Sequence, residues 1–279
     1  MIYRFTYLSG GLRVAGYAAL PPELSFTEEE FTRLLRREFD DEELSAKLVA
    51  CVLPSAMTKP PRKEPYPVLV YCRGGIGRVG KVRLDWLAEF ASFGRIVVAP
   101  CYRGGESGVG HDRFGGEDLE DSRVAMRIAR SFPQSDPKRV AVLGFSRGSI
   151  NATDAAIEEH AAQLVLWGGL SDLGRTYEER IDLRKMLKRV MNGSVYKIPE
   201  AYMERSPIHM APRLSCPVLI MHGTEDAQVE YGHGERMHEE LQRLGKTTEL
   251  MTLDGLGHHM PHPIRMKVLS NMFDWLDRT

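Results

Sequence analysis

The chain has 279 residues, of which 43% are hydrophobic and 27% charged, ordinary proportions for a globular protein and incompatible with a mostly disordered chain or a collagen-like repeat. Lys and Arg total 37 against 38 for Asp and Glu, a formal net charge of −1. The basic excess that phosphate-backbone binding requires is missing, so neither nucleic acid nor an anionic membrane is expected as a partner.

The first segment, Met1 to Leu20, carries Arg4 and Arg13 inside an alternating pattern and has no apolar signal core. Its residues alternate around Ser9-Gly10-Gly11, which predicts a hairpin closed by Pro21 and Pro22. Thr27 followed by Glu28, Glu29 and Glu30 is an N-cap signal with acids in the first turn. Phe31, Leu34, Leu35 and Phe39 then recur at helical spacing, and Asp40-Asp41 divides off a second predicted helix near Glu42 to Leu48. Both read as amphipathic helices packed on the core, with a lid or oligomer contact as the alternative. Pro54 to Pro67 is a proline-rich surface connection.

From Pro67 onward the pattern alternates strand, loop and helix. Short apolar runs lie at 67–72, 95–100, 139–144, 163–167, 216–222 and 248–253. Helical spacing lies at 86–93, 118–131, 149–160, 232–244 and 264–276. Apolar strands without alternation, each followed by a helix, predict an α/β fold whose mostly parallel central sheet is covered by helices on both faces. Ligands in such sheets bind beyond the carboxyl ends of the strands. Residues 170–212 fit no strand–helix beat and read as a small helical cap insertion. The whole is taken as one domain over 1–279, with residues 1–65 as an N-terminal hairpin plus helical extension. No apolar run approaches the roughly 20 residues of a membrane span. Cys51, Cys72, Cys101 and Cys216 are widely spaced with no CxxC pair, which predicts reduced thiols and a cytoplasmic location.

The chemistry concentrates after three of these strands. Gly144-Phe145-Ser146-Arg147-Gly148 follows a strand and opens a helix, the context in which G-x-S-x-G presents a nucleophile on a sharp turn. Glycine on both sides removes the Cβ atoms that would clash there. A serine hydroxyl needs a base, and the base needs an orienting carboxylate. Asp226, after His222-Gly223-Thr224-Glu225, and His258, after Gly255-Leu256-Gly257, each stand just past a strand, in the chain order Ser, Asp, His. Glu225 and His259 are their alternatives. The oxyanion of acyl transfer needs amide donors. Arg147, directly after the nucleophile, supplies one, and Gly74 or Gly75 in Arg73-Gly74-Gly75 stands where the second belongs. His258, His259 and His262 could also be read as a metal cluster, but they lie in a proline-broken loop without HExxH. His209 and His222 read as structural.

These segments resemble the catalytic domain of the prolyl oligopeptidase family of serine peptidases, within the α/β-hydrolase superfamily. Pro100-Cys101-Tyr102-Arg103-Gly104 with Ser107-Gly108-Val109-Gly110 is similar to the family's Asn-Tyr-Arg-Gly…Gly-Tyr-Gly loop. Arg139 to Gly148 is similar to its nucleophile strand and elbow. Ser206-Pro207 with residues 217–229, and Gly257-His258, match its later segments. The resemblance covers about residues 66–279 and implies an α/β-hydrolase fold and a triad of Ser146, Asp226 and His258. It departs from the family in having about 65 preceding residues, too few for the family's β-propeller. It also has Arg73 where relatives have His or Tyr, Arg147 where they have Tyr, and Ser149 where they have Gly. The expected activity is cleavage of an ester or a short peptide-like amide through an acyl-enzyme, with no cofactor and no metal. A dienelactone-hydrolase-type esterase or lactonase, and a non-catalytic ligand-binding relative, are the alternatives. Arg73, Arg103 and Arg147 are read either as attracting an anionic substrate group or as paired with Glu106, Asp112 and Asp121. Self-association is left open.

Overall fold

The residues flanking Ser9-Gly10-Gly11 pair as an antiparallel hairpin of β1 (Ile2–Ser9) and β2 (Leu12–Ala19). The computed structural model describes residues 1–24, 26–51, 65–77, 79–106 and 109–279; most of the proline-rich connection read over 54–67 lies outside them. Thr27 caps α1 (Glu28–Phe39) through a full capping box with Glu30, and Asp40 ends it in the left-handed region at φ 50°. Phe31, Leu34 and Leu35 are buried on its inner face, each contributing about 2 kcal/mol relative to exposure.

The second helix expected over 42–48 does not form. Ala46–Ala50 is a strand, β3, antiparallel to β1. The free edge of β1 offers backbone partners that a helix of so few residues could not match. On the outer side of β3, the Ala46 amide donates to Thr32 Oγ1 at 3.0 Å and the Leu48 amide to Glu28 Oε1 at 2.7 Å.

The strand–helix beat then proceeds as read. It runs β4 (Tyr66–Cys72), α2 (Leu84–Ala91), β5 (Ile96–Pro100), α3 (Leu119–Ser131), β6 (Ser135–Phe145), α4 (Gly148–Glu158) and β7 (Gln163–Trp167). It closes with β8 (Val218–Gly223), α9 (Gly232–Arg243), β9 (Thr248–Leu253) and α10 (His262–Arg278). The insertion between β7 and β8 holds four short helices, α5 (Leu173–Glu179), α6 (Arg184–Met191), α7 (Pro199–Glu204) and α8 (Pro207–Met210), with single 3₁₀ turns beside them.

One nine-stranded sheet results, in the order β3-β1-β2-β5-β4-β6-β7-β8-β9. The six strands from β5 to β9 are parallel, and the N-terminal three join them antiparallel through β2 and β5. One face buries Phe31, Val124, Ile150 and Met237, from α1, α3, α4 and α9. The other buries Trp86, Leu87, Phe90, Leu269 and Phe273, from α2 and α10. From β4 the chain steps first to β5 on one side and then back to β6 on the other. That reversal opens a crevice at the carboxyl ends of β4 and β6, the place where such sheets take ligands. No helix among the described residues is long and apolar enough to cross a membrane.

Candidate active site

Ser146 stands at the tip of β6 with φ 56°, outside the range most L residues adopt. The turn holds it there. Its amide donates to the Trp167 carbonyl at 3.0 Å, and its carbonyl accepts from Ser149 at 3.1 Å as α4 begins. A side chain at residue 148 would place Cβ 2.0 Å from the Cys72 carbonyl, so the helix can start this close to β4 only with glycine. Ser146 is half-buried, and among the described residues its hydroxyl has no hydrogen-bond partner.

Asp226 follows β8, and His258 lies in the loop after β9. The structure brings them together: His258 Nδ1 is 2.7 Å from Asp226 Oδ2, and both residues are buried. The other carboxylate oxygen accepts from the amides of Gln228 and Val229, each at 2.9 Å. Burial opposes ionisation of Asp226, but the His258 bond and these two amides outweigh it and hold the carboxyl below its ordinary range. With Nδ1 committed to the carboxylate, Nε2 is the ring nitrogen left for chemistry.

The pair sits close to the elbow. The His258 ring packs on Phe145, the residue before Ser146, at 4.7 Å between centroids. A Cβ at Gly168, next to the Trp167 carbonyl that holds the Ser146 amide, would stand 3.2 Å from Asp226 Oδ2 and 3.3 Å from His258 Nδ1. Among the described residues no hydrogen bond joins Ser146 to His258, whose one side-chain bond is to Asp226. Of the alternatives, Glu225 is exposed, and His259 packs its ring against Phe145 and Trp86, at 5.4 and 6.3 Å, where burial lowers its pKa. His262 lies 3.6 Å from Glu89 Oε1, whereas the His258 and His259 rings share Phe145 and meet each other at 5.2 Å. His222 Nε2 bonds the Val229 carbonyl at 2.8 Å and lies 3.6 Å from Asp226 Oδ2, bracing the Asp226 loop.

The donor side is equally close. A Cβ at Gly74 would stand 2.9 Å from that of Ser146, and Gly75 turns back with φ 72°. The arginines do not face the site. Arg103 is buried and forks onto Asp121 at 2.8 Å while also reaching Ser9 Oγ at 3.2 Å. Arg147 forks onto Asp112 and bonds Asp118 at 2.7 Å. Arg73 bonds the carbonyls of Gly74 and Cys101 at 2.9 and 2.8 Å. Of the two readings of these arginines, the paired one describes Arg103, on Asp121, and Arg147, on Asp112, while Arg73 bonds backbone carbonyls in place of Glu106. Asp118, the second partner of Arg147, was not singled out by sequence reasoning. The Gly115-Gly116 turn whose amides it accepts was the only local signal.

A cavity of about 810 Å³ lies between α2 and α10, lined by Leu20, Leu84, Ala88, Met260 and Met266 among others. Ser146, Asp226 and His258 do not line it, so the site is defined by its polar geometry.

Comparison with known proteins places the chain in a family. The model of the prolyl oligopeptidase family matches residues 82–279. Uncharacterized peptidase YtmA of Bacillus subtilis is 38% identical over 222 residues, covering 79% of this chain and 86% of that one. Uncharacterized peptidase YuxL of the same organism is 26% identical, over 76% of this chain but only 34% of its own length. The acylaminoacyl peptidase of Pyrococcus horikoshii superposes with a TM-score of 0.71 at 21% identity, over 99% of this chain and 41% of that one, a likeness of fold.

Proposed function

The chain belongs to the prolyl oligopeptidase family and is a serine hydrolase of the peptidase kind; from that premise we propose that it cleaves a short peptide-like amide or an ester through an acyl-enzyme on Ser146. The observation that carries this reading is the buried 2.7 Å bond between Asp226 and His258, set beside a serine held at φ 56° on a strand-to-helix turn.

In this mechanism Ser146 Oγ attacks the acyl carbonyl, and His258 Nε2 takes its proton. Asp226 keeps the ring in the tautomer that leaves Nε2 free and stabilises the imidazolium that forms. Amides of Arg147 and of Gly74 or Gly75 receive the oxyanion, and the positive end of α4 favours the same charge. His258 returns the proton to the leaving group, and water then repeats the sequence on the acyl-enzyme.

The reading is tested with p-nitrophenyl esters and aminoacyl arylamides. Ser146→Ala is expected to remove hydrolysis of whichever panel the wild type accepts, a fall of at least about a thousandfold in kcat. Retention of wild-type turnover by that variant would exclude an acyl-enzyme at Ser146. Hydrolysis of esters without arylamides narrows the substrate to esters.

A further inference from the structure

The Gly74–Gly77 segment beside Ser146 is held by two guanidinium groups. Arg73 donates through Nη1 to the Gly74 carbonyl at 2.9 Å and through Nη2 to the Gly77 carbonyl at 3.3 Å. Arg147 donates through Nη1 to the Gly75 carbonyl at 3.3 Å. Asp112 closes the circuit: one oxygen bonds Arg147 Nη1 at 3.2 Å and the Gly77 amide at 3.3 Å, the other bonds Arg147 Nη2 at 2.7 Å. Both arginines are buried, at 1% and 2% exposure, and each stacks 4.8 Å from the Tyr102 ring. Neither can move without the loop moving.

A trans peptide is planar, with its C=O and N–H pointing opposite ways. Fixing the Gly74 carbonyl on Arg73 therefore turns the Gly75 N–H away from that guanidinium. Fixing the Gly75 carbonyl on Arg147 does the same for the following peptide. Gly75, at φ 72°, is clamped on both sides in a conformation that its lack of a side chain allows.

We propose that Arg73 and Arg147 are positioning residues that aim the Gly75 amide at the oxyanion, Arg147 thereby governing both halves of the oxyanion hole: one donor through its own backbone and the other through its side chain. This rests on the acyl-enzyme reading above. It also selects Gly75 over Gly74 as the loop donor. Burial works against the charge on Arg147, yet Asp112 and Asp118 more than offset it and raise its pKa.

The test uses Arg73→Lys and Arg147→Lys in the full chain, with Asp112→Asn as a third variant that keeps volume while loosening Arg147. Each is assayed on a p-nitrophenyl acyl ester and on its thiono analogue, whose sulfur is a poor hydrogen-bond acceptor. The expected result is a fall in kcat of about ten- to a hundredfold with KM within about twofold, and a comparable fall in the ratio of oxo-ester to thiono-ester rates. An unchanged ratio in a folded variant would show that the arginine is structural only. Loss of the fold in all three variants would overturn the proposal in the same way. Ser146→Ala separates the two hypotheses. If it is inactive while the lysine variants match wild type in rate and ratio, positioning fails and the acyl-enzyme stands. If it retains turnover, the underlying reading fails.

Discussion

Asp226 accepts hydrogen bonds from one imidazole and two backbone amides, and this environment distinguishes it from its neighbour Glu225, which is exposed. Asp226→Asn keeps the shape but presents an N–H to His258, favouring the wrong tautomer. Its kcat is expected to fall by about 10⁴, whereas Glu225→Gln stays within about twofold. Steady-state kinetics on the two purified variants decides it, and equal losses would mean that Asp226 does not orient His258. Ser146, Asp226 and His258 were legible because each sits in a turn with a local glycine signature just past a strand. The arginines were legible only in part: Asp112 and Asp121 were among the acids they could pair with, but which arginine meets which acid was not. Arg103 meets Ser9 and Asp121, and Arg73 meets the Cys101 carbonyl, partners that adjoin only after the sheet has formed. A sequence shows a charge, but the fold decides whether it faces solvent, substrate or a buried carboxylate.

Among the elements, α9 holds the insertion between β7 and β8 through one histidine. His233 Nδ1 accepts from the Ser171 amide at 3.1 Å, which leaves Nε2 to donate to Glu179 of α5 at 2.9 Å. Protonation would break the first bond. Burial, helped by Arg236 and His222, pushes the imidazole down to about 4. A histidine whose folded pKa lies below its unfolded value of about 6.5 contributes stability that is complete above that value and is lost as pH falls toward the folded pKa. Denaturant unfolding of wild type and His233→Gln is therefore expected to show the wild-type advantage shrinking by on the order of 3 kcal/mol between pH 6.5 and 4. A difference that does not change with pH would show that His233 is not kept neutral. The strand–helix beat from β4 to α10 was legible because parallel strands buried on both faces read as continuous apolar runs. Residues 42–48 misled because Leu44 and Leu48 recur at helical spacing. The open edge of β1, a tertiary partner that periodicity cannot see, drew that segment into a strand.

Over the whole molecule, the parallel sheet followed from the sequence, but the order of its strands did not. Nothing local says that β1 and β2 attach to β5, or that the reversal at β4 sets Gly74 against the nucleophile. The two flanks of this sheet are unlike. On the β3 side, Thr32 and Glu28 already occupy amides that an incoming strand would need, whereas β9 pairs only with β8 among the described residues. Copies that associate by strand addition can therefore do so through one flank, and an antiparallel β9 to β9 junction uses that flank up on both partners. Light scattering across a concentration series is expected to stop at a two-subunit mass, while Glu28→Ala with Thr32→Val, by freeing the opposite flank, is expected to permit longer chains of subunits. Growth of the wild type past two subunits would show that the side-chain seal does not hold. A closed pair in place of an open-ended fibre would then follow from two hydrogen bonds on the far side of the protein from its chemistry.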